Sequence, residues 1–171
     1  MELRDKVVVV TGGASGIGTG LCRRFREEGV RGLVIADLNG DVAADLAAEV
    51  GGKSYALDVR DEAALAAMVA ETEAEFGQID LFCSNAGILN LDDGNFWATS
   101  SPNEIWQRNW EVHVMAHIYA ARACLPDMIR RGEGYFLHTV SAAGLLTQPY
   151  TAAYATTKHA AIGFAESLAI T

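Results

Sequence analysis

Residues 6–18, KVVVVTGGASGIG, change character halfway along. The four valines at 7–10 are β-branched and uninterrupted by polar residues, which reads as a strand covered on both faces rather than one with a wet side. Glycines at 12, 16 and 18 then allow a tight turn. A helical stretch follows and closes at Gly29. A buried strand, a glycine turn and a helix in that order begin a unit that must lay its next strand parallel to the first.

The rest of the chain repeats the pattern. GLVIADL (32–38) reads as a second strand, and DVAADLAAEVGG (41–52) as a helix stopped by paired glycines. KSYALDV (53–59) is a third strand, followed by DEAALAAMVAETEAEFG (61–77), a helix with acids in its first turn where the helix dipole favours them. QIDLFCSNAG (78–87) is a fourth strand. Ser101-Pro102-Asn103-Glu104 has the form of a capping box with proline at the first helical position, opening a long helix to about Arg131. Pro126 is expected to kink or break that helix near Leu125. GYFLHTVS (134–141) is a fifth strand, and YATTKHAAIGFAESLAIT (154–171) begins a last helix. Strands alternating with helices imply a single α/β domain over 1–171, a doubly wound parallel sheet with helices on both faces.

Composition excludes several classes of function. Half of the 171 residues are apolar, yet no run approaches the roughly 20 residues of a membrane span. The charged N-terminus lacks the form of a secretory signal. Cys22, Cys83 and Cys124 are odd in number and far apart, as free thiols of a cytoplasmic protein would be. A net charge of −9 without a basic cluster argues against nucleic acid or an anionic membrane as partner.

The turn TGGASGIG (11–18) has the spacing that lets a backbone approach a pyrophosphate and presents the unpaired N–H groups of a helix start to it. Gly12, Ser15, Gly16, Ile17 and Gly18 are the candidate contacts. Asp37, at the end of the second strand, can accept hydrogen bonds from an adenosine ribose and would repel a 2′-phosphate. Neither Ala14-Ser15 nor Leu38 offers a cation to offset that repulsion, so NAD is favoured over NADP.

With LDV (57–59) after the third strand, NAG (85–87) after the fourth, Ser141 after the fifth and YATTK (154–158), these features resemble the compact short-chain dehydrogenase/reductase family, a Rossmann-type fold. The resemblance implies that Asp58 and the Val59 backbone hold the adenine. It implies that Asn85, Ala86 and Gly87 line the coenzyme cleft and brace the central strand. It also implies a homodimer or homotetramer, for which Trp106, Trp110, Met115, Ile118 and Tyr119 could supply a face.

Tyr154 and Lys158 stand four apart on a helix and so share one face. Tyr150 follows Pro149 and is roughly 12 Å from Lys158 along a helix axis, so Tyr154 is the better candidate. A phenol with a pKa of about 10 is a poor base at neutral pH. An ammonium about 4 Å away is worth roughly 4 kcal/mol at an effective dielectric near 20, enough to bring a phenol towards neutrality. Tyr154 would then exchange a proton with the hydroxyl of a secondary alcohol or ketone substrate, as general base or acid. Ser141 would hydrogen-bond the substrate oxygen, and Lys158, by resemblance, would hold the nicotinamide ribose.

Two features depart from the family. Its members usually carry an asparagine in the long helix, supporting a water chain to the lysine, where WEVHVMAH (110–117) places His113. Histidine donates and accepts, so two readings stay open: a relay through His113 with a different pH dependence, or a helix histidine with no relay role. Relatives also continue past the last helix, so a form shortened at the C-terminus is expected, with GYFLHTV left as an open apolar edge. A different class of function is a module that binds NAD without catalysis. Phe96 and Trp97 in the 88–100 loop point to an apolar or ring-shaped substrate.

Overall fold

The computed structural model describes residues 1–91 and 97–170. Phe96 therefore lies outside the described residues. Five parallel strands, β1 (Val7–Thr11), β2 (Gly32–Asp37), β3 (Lys53–Ala56), β4 (Leu81–Ser84) and β5 (Tyr135–His138), form one sheet in the order β3-β2-β1-β4-β5. The helices are α1 (Gly16–Glu27), α2 (Gly40–Val50), α3 (Glu62–Phe76), α4 (Asn103–Trp110), α5 (Ala116–Arg131) and α6 (Ala152–Ala169). This is the doubly wound α/β fold expected from the alternating pattern.

The valines of β1 show why both faces must be covered. Successive side chains of a strand point to opposite faces. Val7 and Val9 pack with Leu65, Met68 and Val69 of α3 and Cys124 and Met128 of α5. Val8 and Val10 pack with Cys22 and Phe25 of α1 and Ala43 and Leu46 of α2. All four valines are fully buried. In β5, last in the order of the described strands, the pattern loosens and Tyr135 and Leu137 are exposed.

The long segment before β5 differs from the sequence expectation in three ways. Helix α4 begins at Asn103, because Pro102 holds an extended ψ of 159° and occupies the cap position itself. Pro126 does not end α5, which runs on to Arg131 and closes on Gly132 in the left-handed conformation. The irregularity falls upstream instead. Residues Glu111–Met115 form a π-helical turn between α4 and α5, with His113 at its centre. Single π turns of this kind often mark functional positions. Among the described residues, no helix is long and apolar enough to cross a membrane.

Candidate active site

The sheet order reverses direction between β1 and β4, since the chain winds from β1 to β3 on one side and then crosses to β4 and β5 on the other. The loops leaving β1 and β4 consequently diverge, and a crevice opens at their C-terminal ends. A cleft of about 470 Å³ lies there. Its walls include Gly12, Ser15, Gly16 and Ile17 from the first loop, Asn85, Ala86 and Gly87 from the fourth strand's loop, and Tyr154 and Lys158 from α6.

The glycine loop is shaped by close approach. Gly12 has φ +65°, and a Cβ there would lie 2.7 Å from the Ala86 Cα. Gly18 is buried under the loop, where a Cβ would sit 2.1 Å from the Gly12 carbonyl oxygen. Gly16, at φ +51°, faces open space. The Ser15 side chain makes no cap bond to α1, and the first turn holds no acid. No acid of the helix's own first turn competes for the leading N–H groups of α1, which suits the pyrophosphate of a dinucleotide.

Asp37 closes the far end. One carboxylate oxygen accepts the Ala14 N–H at 3.0 Å and the other accepts the Asn39 N–H at 2.9 Å, so the group is held rigidly against the glycine loop. Leu57 and Val59 line the cleft beside it. The Asp58 carboxylate is engaged elsewhere. Arg60 reaches both of its oxygens through Nε at 3.0 Å and adds an Nη2 bond at 2.6 Å, holding the Asp58 carboxyl below the usual range. Arg60 had no signal in the sequence reading.

Asn85 ties three strand ends together. Its side-chain nitrogen donates to the carbonyls of Thr11 and Gly12, and its oxygen accepts from the Thr139 hydroxyl at 2.8 Å. Its backbone N–H donates to the Thr11 hydroxyl. Thr139 then serves a second group: its carbonyl accepts from Lys158 Nζ at 3.2 Å. Lys158 is only 4 % exposed, and burial draws its pKa down to about 8. Its ammonium lies 5.5 Å from the centre of the Tyr154 ring. Gly87 passes close by, so that a Cβ on it would be 3.6 Å from Lys158 Nζ and 3.7 Å from His113 Nε2.

His113 is fully buried, and its ring meets that of Tyr154 edge-on at 5.3 Å. Nε2 accepts the Ile88 N–H at 3.1 Å, and Nδ1 lies 2.9 Å from the Thr157 hydroxyl. Burial, with the Lys158 charge as a lesser cause, depresses its pKa to about 3. Ser141 sits at the start of the 3₁₀ turn Ala142–Gly144, where its oxygen accepts the Ala143 N–H at 3.2 Å. The hydroxyl proton of Ser141 remains available for donation. Tyr150 stands apart in the preceding loop, with φ +62° and outside α6.

Sequence reasoning missed Thr11, Thr139 and Thr157. Thr11 and Thr157 lie within the TGGASGIG and YATTK motifs and Thr139 follows the fifth strand, but their contacts to Asn85, His113 and Lys158 depend on the placement of other elements.

A model of the family described as short chain dehydrogenase matches residues 6–171. The chain is 34% identical over 174 residues to 1-deoxy-11-beta-hydroxypentalenate dehydrogenase of Streptomyces exfoliatus, covering 98% of this chain and 62% of that protein. It is 34% identical over 164 residues to 2-dehydro-3-deoxy-L-rhamnonate dehydrogenase (NAD(+)) of Sphingomonas sp. strain SKA58, covering 95% and 64%. The crystal structure of LigO in its apo form, from Sphingobium sp. strain SYK-6, superposes with a TM-score of 0.89 at 32% identity, over 99% of this chain and 64% of that one. The chain thus spans a little under two thirds of the length of these relatives.

Proposed function

The chain belongs to the short chain dehydrogenase family, and on that premise we propose that the protein is an NAD-dependent oxidoreductase acting on a secondary alcohol or its ketone. A bound dinucleotide would supply the nicotinamide that exchanges hydride with the substrate carbon. The pyrophosphate would lie on the glycine loop and the start of α1, and Asp37 would take the adenosine ribose. A 2′-phosphate at Asp37 would meet a fixed carboxylate, which favours NAD. One relative is named for NAD(+).

The rest of the chemistry belongs to the chain's own residues. Ser141 would donate its hydroxyl proton to the substrate oxygen and orient it. Tyr154 would accept the substrate's hydroxyl proton in oxidation and return it in reduction. Lys158 would favour negative charge on the phenolic oxygen through its buried ammonium, which water screens poorly. Asn85 and Thr139 would hold the strand ends on which these groups depend. Exposed Trp97 (71 %), Leu145 (73 %) and Leu146 (70 %), in the segments that follow Ile88 and Ser141 along the chain, would suit a substrate with an apolar body.

The observation that carries the proposal is the meeting of Tyr154 and the buried Lys158 with the glycine loop in one cleft. The test is to incubate the protein with NAD or NADP and a panel of secondary alcohols, following the absorbance of reduced nicotinamide. Turnover with NAD supports it. Tight NAD binding without turnover on any alcohol or ketone would favour a module that binds coenzyme without catalysis.

A further inference from the structure

Resting on the reading of Tyr154 and Lys158 as the reacting pair, we propose that His113 is a positioning residue. Held in a single neutral tautomer, it ties the 85–88 turn to helix α6 through Thr157, and no proton passes through its ring.

The donor and acceptor inventory leaves little choice. A backbone N–H can only donate, so the Nε2 atom that meets the Ile88 N–H at 3.1 Å must present a lone pair. The ring proton of a neutral imidazole then sits on Nδ1. Nδ1–H donates to the Thr157 hydroxyl oxygen at 2.9 Å. Thr157 in turn donates its own proton to the carbonyl of Ala153 or Tyr154, each 2.9 Å away. An imidazolium would set a second N–H against the Ile88 N–H, so this geometry refuses the charged form.

Both ring nitrogens are therefore committed, and His113 and Thr157 are buried to 1 % exposure or less. A relay through the ring would need one nitrogen to release a proton while the other gains one. The Ile88 N–H blocks that exchange. The ring joins the loop carrying Gly87 to the helical turn between Tyr154 and Lys158. The π turn at Glu111–Met115 is the element that carries the imidazole into this gap. The brace sets the distance between the cleft floor and the reacting pair.

The test begins with long-range proton–nitrogen correlation spectra of the histidine rings between about pH 5 and about pH 8, where a free histidine changes charge. The His113 signals are identified by their loss in His113→Gln. They should show Nδ1–H and a bare Nε2 throughout. An Nε2–H form, or an imidazolium within that range, would overturn the proposal.

A second arm compares Thr157→Val, which keeps the shape and loses the hydroxyl, with Thr157→Ser, which does the reverse. Thr157→Val should disturb the His113 tautomer signals and lower kcat about tenfold, with NAD affinity unchanged. Thr157→Ser should retain both the tautomer and the kcat of the parent. A Thr157→Val protein with unchanged spectrum and kcat, or a Thr157→Ser loss as large as that of valine, would also overturn it. Should Thr157→Val fail to fold, the wild-type spectrum decides. The spectrum decides equally if no alcohol is turned over, so failure of the brace and failure of the enzymatic reading are distinguishable.

Discussion

Lys158 donates from Nζ to the carbonyl oxygen of Thr139 at 3.2 Å, and so a cation on α6 is anchored to the end of β5. The same threonine holds Asn85 through its hydroxyl at 2.8 Å, which links Lys158 to the β1 and β4 loops. One residue after β5 thus transmits the sheet's geometry to the cleft.

Removing that cation should slow the proposed reaction. Lys158→Met is expected to lower kcat at neutral pH by about a hundredfold or more, the scale of an acid–base contribution. Its effect on stability has a defined sign. The folded-state pKa of about 8 lies below the ordinary 10.5, so between those values the unfolded chain holds more protons and stability rises with pH. Denaturant unfolding across that window should show the rise diminished in Lys158→Met. An unchanged kcat would remove the basis for Lys158's assigned role.

Acid should destabilise the fold through its buried histidines. His113 and His117 both have pKa values near 3 because burial disfavours the imidazolium, against an ordinary 6.5. As pH falls below about 6.5 the unfolded chain takes up protons that the fold refuses, so stability should decline down to about pH 3. His138 is displaced in the same direction by burial. Among the described residues neither ring nitrogen of His138 has a hydrogen-bond partner, and its ring lies edge-on to His117 at 4.6 Å and to Phe164 at 6.0 Å. His138→Phe is expected to raise stability by about 1 kcal/mol at neutral pH and to flatten the acid slope. Urea unfolding at neutral and mildly acidic pH measures both, and a marked loss at neutral pH would contradict the expectation.

Two glycines of α1 should respond in opposite ways. A methyl at Gly18 would collide with the Gly12 carbonyl oxygen at 2.1 Å and crowd Gly13 at 2.8 Å. Gly18→Ala is expected to cost about 1–3 kcal/mol and to weaken NAD binding. Among the described residues beyond its own helix backbone and chain neighbours, nothing lies within 4 Å of the would-be Cβ of Gly20, which is inside the helix. Gly20→Ala should stabilise by about 0.5–1 kcal/mol. Thermal unfolding and calorimetric titration with NAD compare the pair.

Coenzyme choice should follow the charge on Asp37. Asp37→Asn keeps an oxygen for the Ala14 N–H and removes the negative charge. The preference for NAD over NADP, measured as a ratio of kcat/KM values, is expected to fall about tenfold, the equivalent of about 1.4 kcal/mol of repulsion. An unchanged ratio would place the discrimination elsewhere.

Local pattern alone determined much of this protein. The valine run, the glycine turn and the recurrent helical spacing specify a buried parallel strand passing into a helix, because each depends on neighbours within a few residues. The motifs at the strand ends, with the four-residue step from Tyr154 to Lys158, made the cleft legible for the same reason. Tertiary structure decided what depends on distant partners. Only the sheet order brings Asn85 against Thr11, Gly12 and Thr139, and only the packing of the Glu111–Met115 turn on α6 sets His113 against Thr157. The pairing of Asp58 with Arg60 was equally hidden, since a loop's side-chain orientations follow from its folded path. The donors and acceptors of a buried residue are chosen by whatever the fold lays beside it, and sequence spacing carries no record of that choice.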